Sequence, residues 1–204
     1  MARKVTCNAI LSAVLAGATF SSLPAIADRN FSYDYVQIQA VIDRYSNGPD
    51  LWGVRGEISS NIWEGVYLRG QAGYAEGDDG PFDFDRSHFT GMVGYATEMA
   101  REIDFYGEIG FTYQDYGITC NAMVPAHCDF GESDTSFNAG AGIRGWASDN
   151  MELKAGVARV GGINTYTEVQ LGLAAWLDYR SALTMDFAWH DDHNALLFGY
   201  RYTF

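Results

Sequence analysis

Apolar and polar residues alternate one for one along most of this chain. A period of two marks a strand whose two faces meet different surroundings. Ten such runs can be drawn. Residues 33–44 set Val36, Ile38, Ala40 and Ile42 against Gln37, Gln39 and Asp43, and residues 51–60 set Trp52, Val54 and Ile58 against Arg55 and Glu57. Residues 65–75, 87–96 and 103–113 repeat the pattern, with Arg69, His88, Thr90, Asp104 and Glu108 on the polar side. The second half continues it in residues 135–146, 151–160, 166–177, 182–190 and 195–204, whose polar faces carry Arg144, Glu152, Lys154, Glu168, Asp186 and Arg201. The run at 151–160 is the least regular, because Arg159 falls on its apolar face.

These runs are 9 to 12 residues long. An ordinary globular strand has about 5–6 residues, whereas a tilted strand crossing a bilayer needs about 9–11. Length and alternation together predict an all-β chain: a single antiparallel transmembrane β-barrel of ten strands, with eight as the alternative count. Closure is required, because an open sheet edge would leave backbone groups unpaired in hydrocarbon. The connections alternate between short (60–64, 97–102, 147–150, 178–181) and a second set that includes the two longest, 76–86 and 114–134. Short turns on one side and longer loops on the other are the outer-membrane pattern.

The eleven charged side chains on the polar faces, five basic and six acidic, predict a lumen narrowed by ion pairs: Arg55, Glu57, Arg69, Asp104, Glu108, Arg144, Glu152, Lys154, Glu168, Asp186 and Arg201. Ten strands also leave less room than the 16–18 of large porins. Trp52, Trp63, Tyr74, Tyr95, Tyr113, Trp189 and Tyr202 lie near run ends, where interface girdles of aromatic residues belong.

Composition narrows the field further. A net charge of −13 over 204 residues argues against nucleic-acid binding, which needs a basic patch. No stretch of 18 apolar residues exists, so a helical membrane bundle is excluded. Residues 1–27 read as a cleaved signal peptide: Arg3 and Lys4, an apolar stretch over 9–20, no carboxylate, and the triplet Ala25-Ile26-Ala27. The barrel domain is then 28–204. Export places Cys120 and Cys128 in an oxidising setting, where they are expected to form a disulfide across the longest loop. A metal site on Cys120, His127 and Cys128 lacks a fourth ligand, and no metal or cofactor is expected. The carboxylates of 76–85 form a solvated acidic loop, or a cation site that does not match an EF-hand.

The opening FSYDYVQIQAVIDRY, the repeated strand–turn–strand units and the ending ALLFGYRYTF resemble the small Gram-negative outer-membrane β-barrel proteins of the porin-like kind. The resemblance covers 28–204. It implies that Phe198, Tyr200, Tyr202 and Phe204 form the signal read by the outer-membrane assembly machinery, and that lipids and lipopolysaccharide surround the barrel. It gives location and fold more than activity, and no oligomeric state. Three functions follow from it: a structural or surface-interaction protein, a narrow diffusion pore, or a hydrolase resembling the omptin proteases. The last would use Asp83, Asp85, Asp191 and His193, with His193 as general base. Against it, the Asp-x-His pair lies in the last loop and the chain is short.

Overall fold

The computed structural model describes residues 31–46, 48–120, 130–161 and 165–204. The period-two alternation becomes ten strands: β1 (Tyr35–Tyr45), β2 (Leu51–Trp63), β3 (Val66–Asp79), β4 (Phe82–Ala100), β5 (Ile103–Cys120), β6 (Phe130–Ser148), β7 (Met151–Val160), β8 (Tyr166–Trp176), β9 (Ser181–His190) and β10 (His193–Thr203). Each pairs antiparallel with its sequence neighbours, and β1 pairs with β10 from Tyr35↔Thr203 to Tyr45↔His193, which closes the barrel. Both ends of the described barrel chain lie at one end of the cylinder, here the near end, where Phe204 N donates to Asp34 O at 3.2 Å. The opposite end is the far end.

The usual distribution of polarity is reversed. On β1 the apolar Ile38 is 63% exposed while the adjacent Gln39 is 2% exposed. Val54, Ile58, Phe89, Ile109, Phe137 and Leu171 likewise face outward, and Asp43, Glu57, Thr112, Asn138 and Arg144 are buried inside. So large an apolar belt is not sustained in water, where monomers rarely expose more than a few hundred Å² in one patch. It matches hydrocarbon. On β5 the outward apolar series runs from Phe105 to Tyr113; eight residues of tilted strand rise by roughly 20–25 Å, the height of a lipid-facing band. Arg159 is exposed next to the last residue of β7, at the far end, where a long cation reaches the interface with its stem still in lipid.

Two sequence expectations need correction. Residues 76–86 and 114–134 were expected as loops, yet β3 extends to Asp79, β4 starts at Phe82, β5 extends to Cys120 and β6 starts at Phe130. Four strands therefore rise well beyond the rest of the wall. The connection between β3 and β4 is only Gly80-Pro81, with Gly80 at φ 65°, a backbone region that glycine occupies without Cβ strain. Second, the chain enters β1 at Tyr35 and not Tyr33, because Phe31 and Tyr33 turn into the lumen.

Candidate functional site

The lumen is the candidate site, and it is built in layers. At the near end, Tyr33 stacks on Tyr67 with ring centroids 4.5 Å apart, and both pack with Ala96, Tyr106 and the partly buried Phe31. A second cluster, Ala174, Trp176 and Ala182 with Trp146 against it, fills the other side of the same end. Glycine makes room for these rings: a Cβ on Gly94 would overlap the Tyr67 ring, and one on Gly142 would overlap the Tyr106 hydroxyl. Arg144 lies over both Phe31 and Tyr33 at 5.0 and 5.1 Å, which adds a cation–π contact to the plug.

Charged layers follow. Arg144 forms a two-pronged pair with Glu152, Nε to Oε1 at 2.5 Å and Nη2 to Oε2 at 3.0 Å. Glu152 also meets Arg201 Nη1 at 3.5 Å and accepts from Trp176 Nε1 at 3.3 Å. Deeper in the lumen, Arg69 bridges Glu57 at 3.3 Å and Glu108 at 2.5 Å. Tyr67 OH donates to Glu108 at 2.8 Å, and Tyr35 and Gln71 donate to Glu57. In this low-dielectric interior each carboxylate meets both a cation and further donors, the condition under which buried charge is tolerated.

The other charges predicted for the lumen are held differently. Arg55 donates twice to Gln39 Oε1, at 3.1 and 2.7 Å, and the same amide donates to Asp186 at 2.5 Å, so Gln39 links a cation and an anion that do not touch. Lys154 lies 5.0 Å from the Tyr106 ring centroid. Glu168 accepts from Gln170 at 2.6 Å, and Asp104 accepts from Tyr33 OH at 3.4 Å. A cavity of about 180 Å³ remains in the lumen, lined among others by Asp43, Arg55, Glu57, Arg69, Arg86 and Lys154.

At the far mouth Asp43, Arg86, His193 and His190 come together, a meeting that the sequence does not show. Asp43 is 1% exposed and accepts from Arg86. His193 Nε2 lies 3.1 Å from Asp43 Oδ1, a close electrostatic contact without the alignment of a hydrogen bond. His193 Nδ1 meets His190 Nε2 at 2.9 Å, and the two rings stack on Tyr45 and Tyr166 respectively. Asp43 was legible as a polar-face residue, but its partners come from β4 and β10, and sequence spacing carries no signal of that meeting.

The residues named for the hydrolase alternative face different ways. His193 points inward to Asp43, while Asp83 and Asp85 sit on the outer face of β4, cross-strand from Asp78 and Glu76. Asp191 is exposed in the β9–β10 turn. No group of three or more His, Cys, Asp or Glu side chains capable of holding a metal occurs among the described residues. Cys120 ends β5, opposite Phe82; Cys128 and His127 lie outside the described residues, as does the segment 1–27. Phe198, Tyr200, Tyr202 and Phe204 all face outward on the closing seam or just past it.

No protein-family model and no curated protein matches this sequence. Solved structures do. The translocator domain of the autotransporter NalP from Neisseria meningitidis has a TM-score of 0.52 at 12% identity, covering 87% of this chain and 90% of that one. The N-terminal β-barrel domain of Pseudomonas aeruginosa OprF has a TM-score of 0.44 at 18% identity, over 84% and 98% of the two chains. Ail, the attachment invasion locus protein of Yersinia pestis, has a TM-score of 0.42 at 12% identity, over 83% and 95%. At such identities the likeness is one of fold, and with strand order and closure it places the chain among the closed antiparallel barrels of the outer-membrane type.

Proposed function

We propose that this chain is an exported integral barrel of the Gram-negative outer membrane, with a structural or surface-interaction role and a lumen closed to bulk solute. The near end faces the periplasm and the far end the outside. The lipid-facing apolar band and the signal-like residues 1–27 support the location. The observation that carries the closed lumen is its layering: an aromatic plug at the near end, then the Arg144–Glu152 and Arg69–Glu57–Glu108 layers across the bore. Outer-membrane lipids and lipopolysaccharide are the surroundings, and the assembly machinery is the partner that inserts the chain through its aromatic last strand.

Single-channel recording on the refolded barrel in planar bilayers tests this reading. A conductance that is small or absent is expected. A large, stable, voltage-independent conductance would replace it with the second reading, a narrow diffusion pore. That reading has one observation in its favour, the 180 Å³ cavity, which has room for about six waters at liquid density.

A further inference from the structure

Where β3–β6 rise past the membrane band, the two faces of the sheet exchange character. Within the band the outward face is apolar. Above it the outward face carries Glu76, Asp78, Asp83 and Asp85, and the register sets them directly across from one another as Glu76↔Asp85 and Asp78↔Asp83. The inward face gains an apolar row, set between Asp79 on one side and Arg86, Glu132 and Asp134 on the other. Phe84, Ile118 and Phe130 form one cross-strand row, with Phe82 and Tyr116 beside it. Phe82, Tyr116 and Phe130 are 36, 40 and 58% exposed. Among the described residues, β7 pairs with β6 only from Asn138 toward the membrane, so β6 rises beyond its neighbour on that side.

The charge of the raised sheet is one-sided. Its segments 76–86, 114–120 and 130–136 contain eight carboxylates against one cation, Arg86, which is held by Asp43. Like charges directly across a strand pair are unfavourable, and a sheet with this composition holds a negative potential over its apolar face. That selects the occupant. A second copy of this chain, itself at −13, brings like charge, and so does a phosphate-rich glycolipid surface. We propose that the raised β3–β6 sheet is a docking surface for a cationic amphipathic polypeptide segment. Its apolar side chains would cover Phe84, Ile118 and Phe130, and its cations would meet Asp79 and Glu132, which flank that row on the same face. The surface exists whichever way the barrel sits; only its placement outside the cell rests on the function proposed above.

The test uses the full mature chain in nanodiscs of zwitterionic lipid, with empty nanodiscs as the blank. The probes are alternating Lys-Leu, Glu-Leu and Lys-Ser peptides about 10 residues long, enough to cross the four strands. Lys-Leu should bind at least about tenfold tighter than either of the others, because both the apolar surface and the charge must match. Its affinity should fall with salt, as screening predicts. It should also fall about tenfold in the paired variant Tyr116→Ser/Phe130→Ser. Those two side chains are exposed, so the variant should keep its heat-modifiable, folded form. Equal binding of Lys-Ser would overturn the proposal in favour of charge alone, and equal binding of Glu-Leu would overturn the charge argument. Lys-Leu binding unchanged in the folded variant would place the peptide elsewhere. No binding by any probe would mean that the face is already covered by the chain itself.

Discussion

A lumen arginine between two carboxylates is a different object from a lumen arginine held by an amide, and this barrel contains both. Arg69 neutralises Glu57 and Glu108 together. Removing it leaves two carboxylates in a low-dielectric interior, and breaking a buried pair in this way costs roughly 3–5 kcal/mol. Arg69→Met should lower the unfolding free energy of the refolded barrel in urea by that amount, and adding Glu57→Gln and Glu108→Gln should recover most of it. Arg55→Gln should cost under about 1 kcal/mol, because Arg55 donates to the neutral Gln39. Equal losses at Arg55 and Arg69 would sink this account. Much of the site was legible at this scale: parity along each strand correctly separates Ile38 from Gln39 and Phe105 from Asp104. Which charges meet was not legible, because contacts across the bore are set by the stagger of the whole barrel. Arg144 lies in register with Asp104, yet it forms its two-pronged pair with Glu152.

At the scale of elements, the strands beyond the membrane are hidden in the sequence for a physical reason. Residues 82–85 alternate as Phe-Asp-Phe-Asp, which is a strand signal, but Gly80-Pro81 and the density of acid read as a loop. The apolar-outward rule also reverses once lipid gives way to water. The β5–β6 hairpin ends at Cys120, and we propose that a disulfide to Cys128 closes its tip. A loop that short stabilises by about 2–3 kcal/mol in the chain-entropy model. Cys120→Ser/Cys128→Ser should speed proteolysis at the tip and leave the membrane-embedded part resistant; free, alkylatable thiols in exported protein would disprove the bond. The β8–β9 turn gives a pH dependence. Asp178 accepts from the backbone N–H groups of Arg180 at 2.7 Å and Ser181 at 2.8 Å, and these donors, Arg180 first, hold its carboxyl below the usual range. A carboxyl lowered by folding stabilises above its unfolded value of about 3.9 and loses that contribution as pH falls through the folded value. Carboxyl NMR of the barrel in micelles should therefore place the Asp178 midpoint below about 3.9, and a midpoint at or above it would remove the turn from the acid response.

For the whole molecule, the ten-strand count puts both ends of the barrel chain on one side, which is the periplasmic side under the export proposed above. A tag inserted at 121–126 should be reached on intact cells, and one at 148–150 only after the outer membrane is opened; the reverse would overturn the orientation. The plug at the near end makes the closing prediction. Phe31 and Tyr33 precede the first strand and contribute nothing to the ladder, so the barrel can close without them. They nevertheless fill the bore against Tyr67 and Trp146, and they give Arg144 its aromatic faces. Removing residues 28–33 should leave heat-modifiable folding intact while opening the near end down to the Arg144–Glu152 layer. Conductance should then rise above that of the wild type. Adding Arg69→Ser should raise it again, because the Arg69 layer is a further constriction in series and each layer limits flow while it is present. If the truncated barrel stays as silent as the wild type and only the Arg69 variant conducts, the ionic layer alone closes the lumen. If the truncated barrel fails to fold while Phe31→Ser/Tyr33→Ser folds and conducts, the segment has an added part in assembly and the plug still stands.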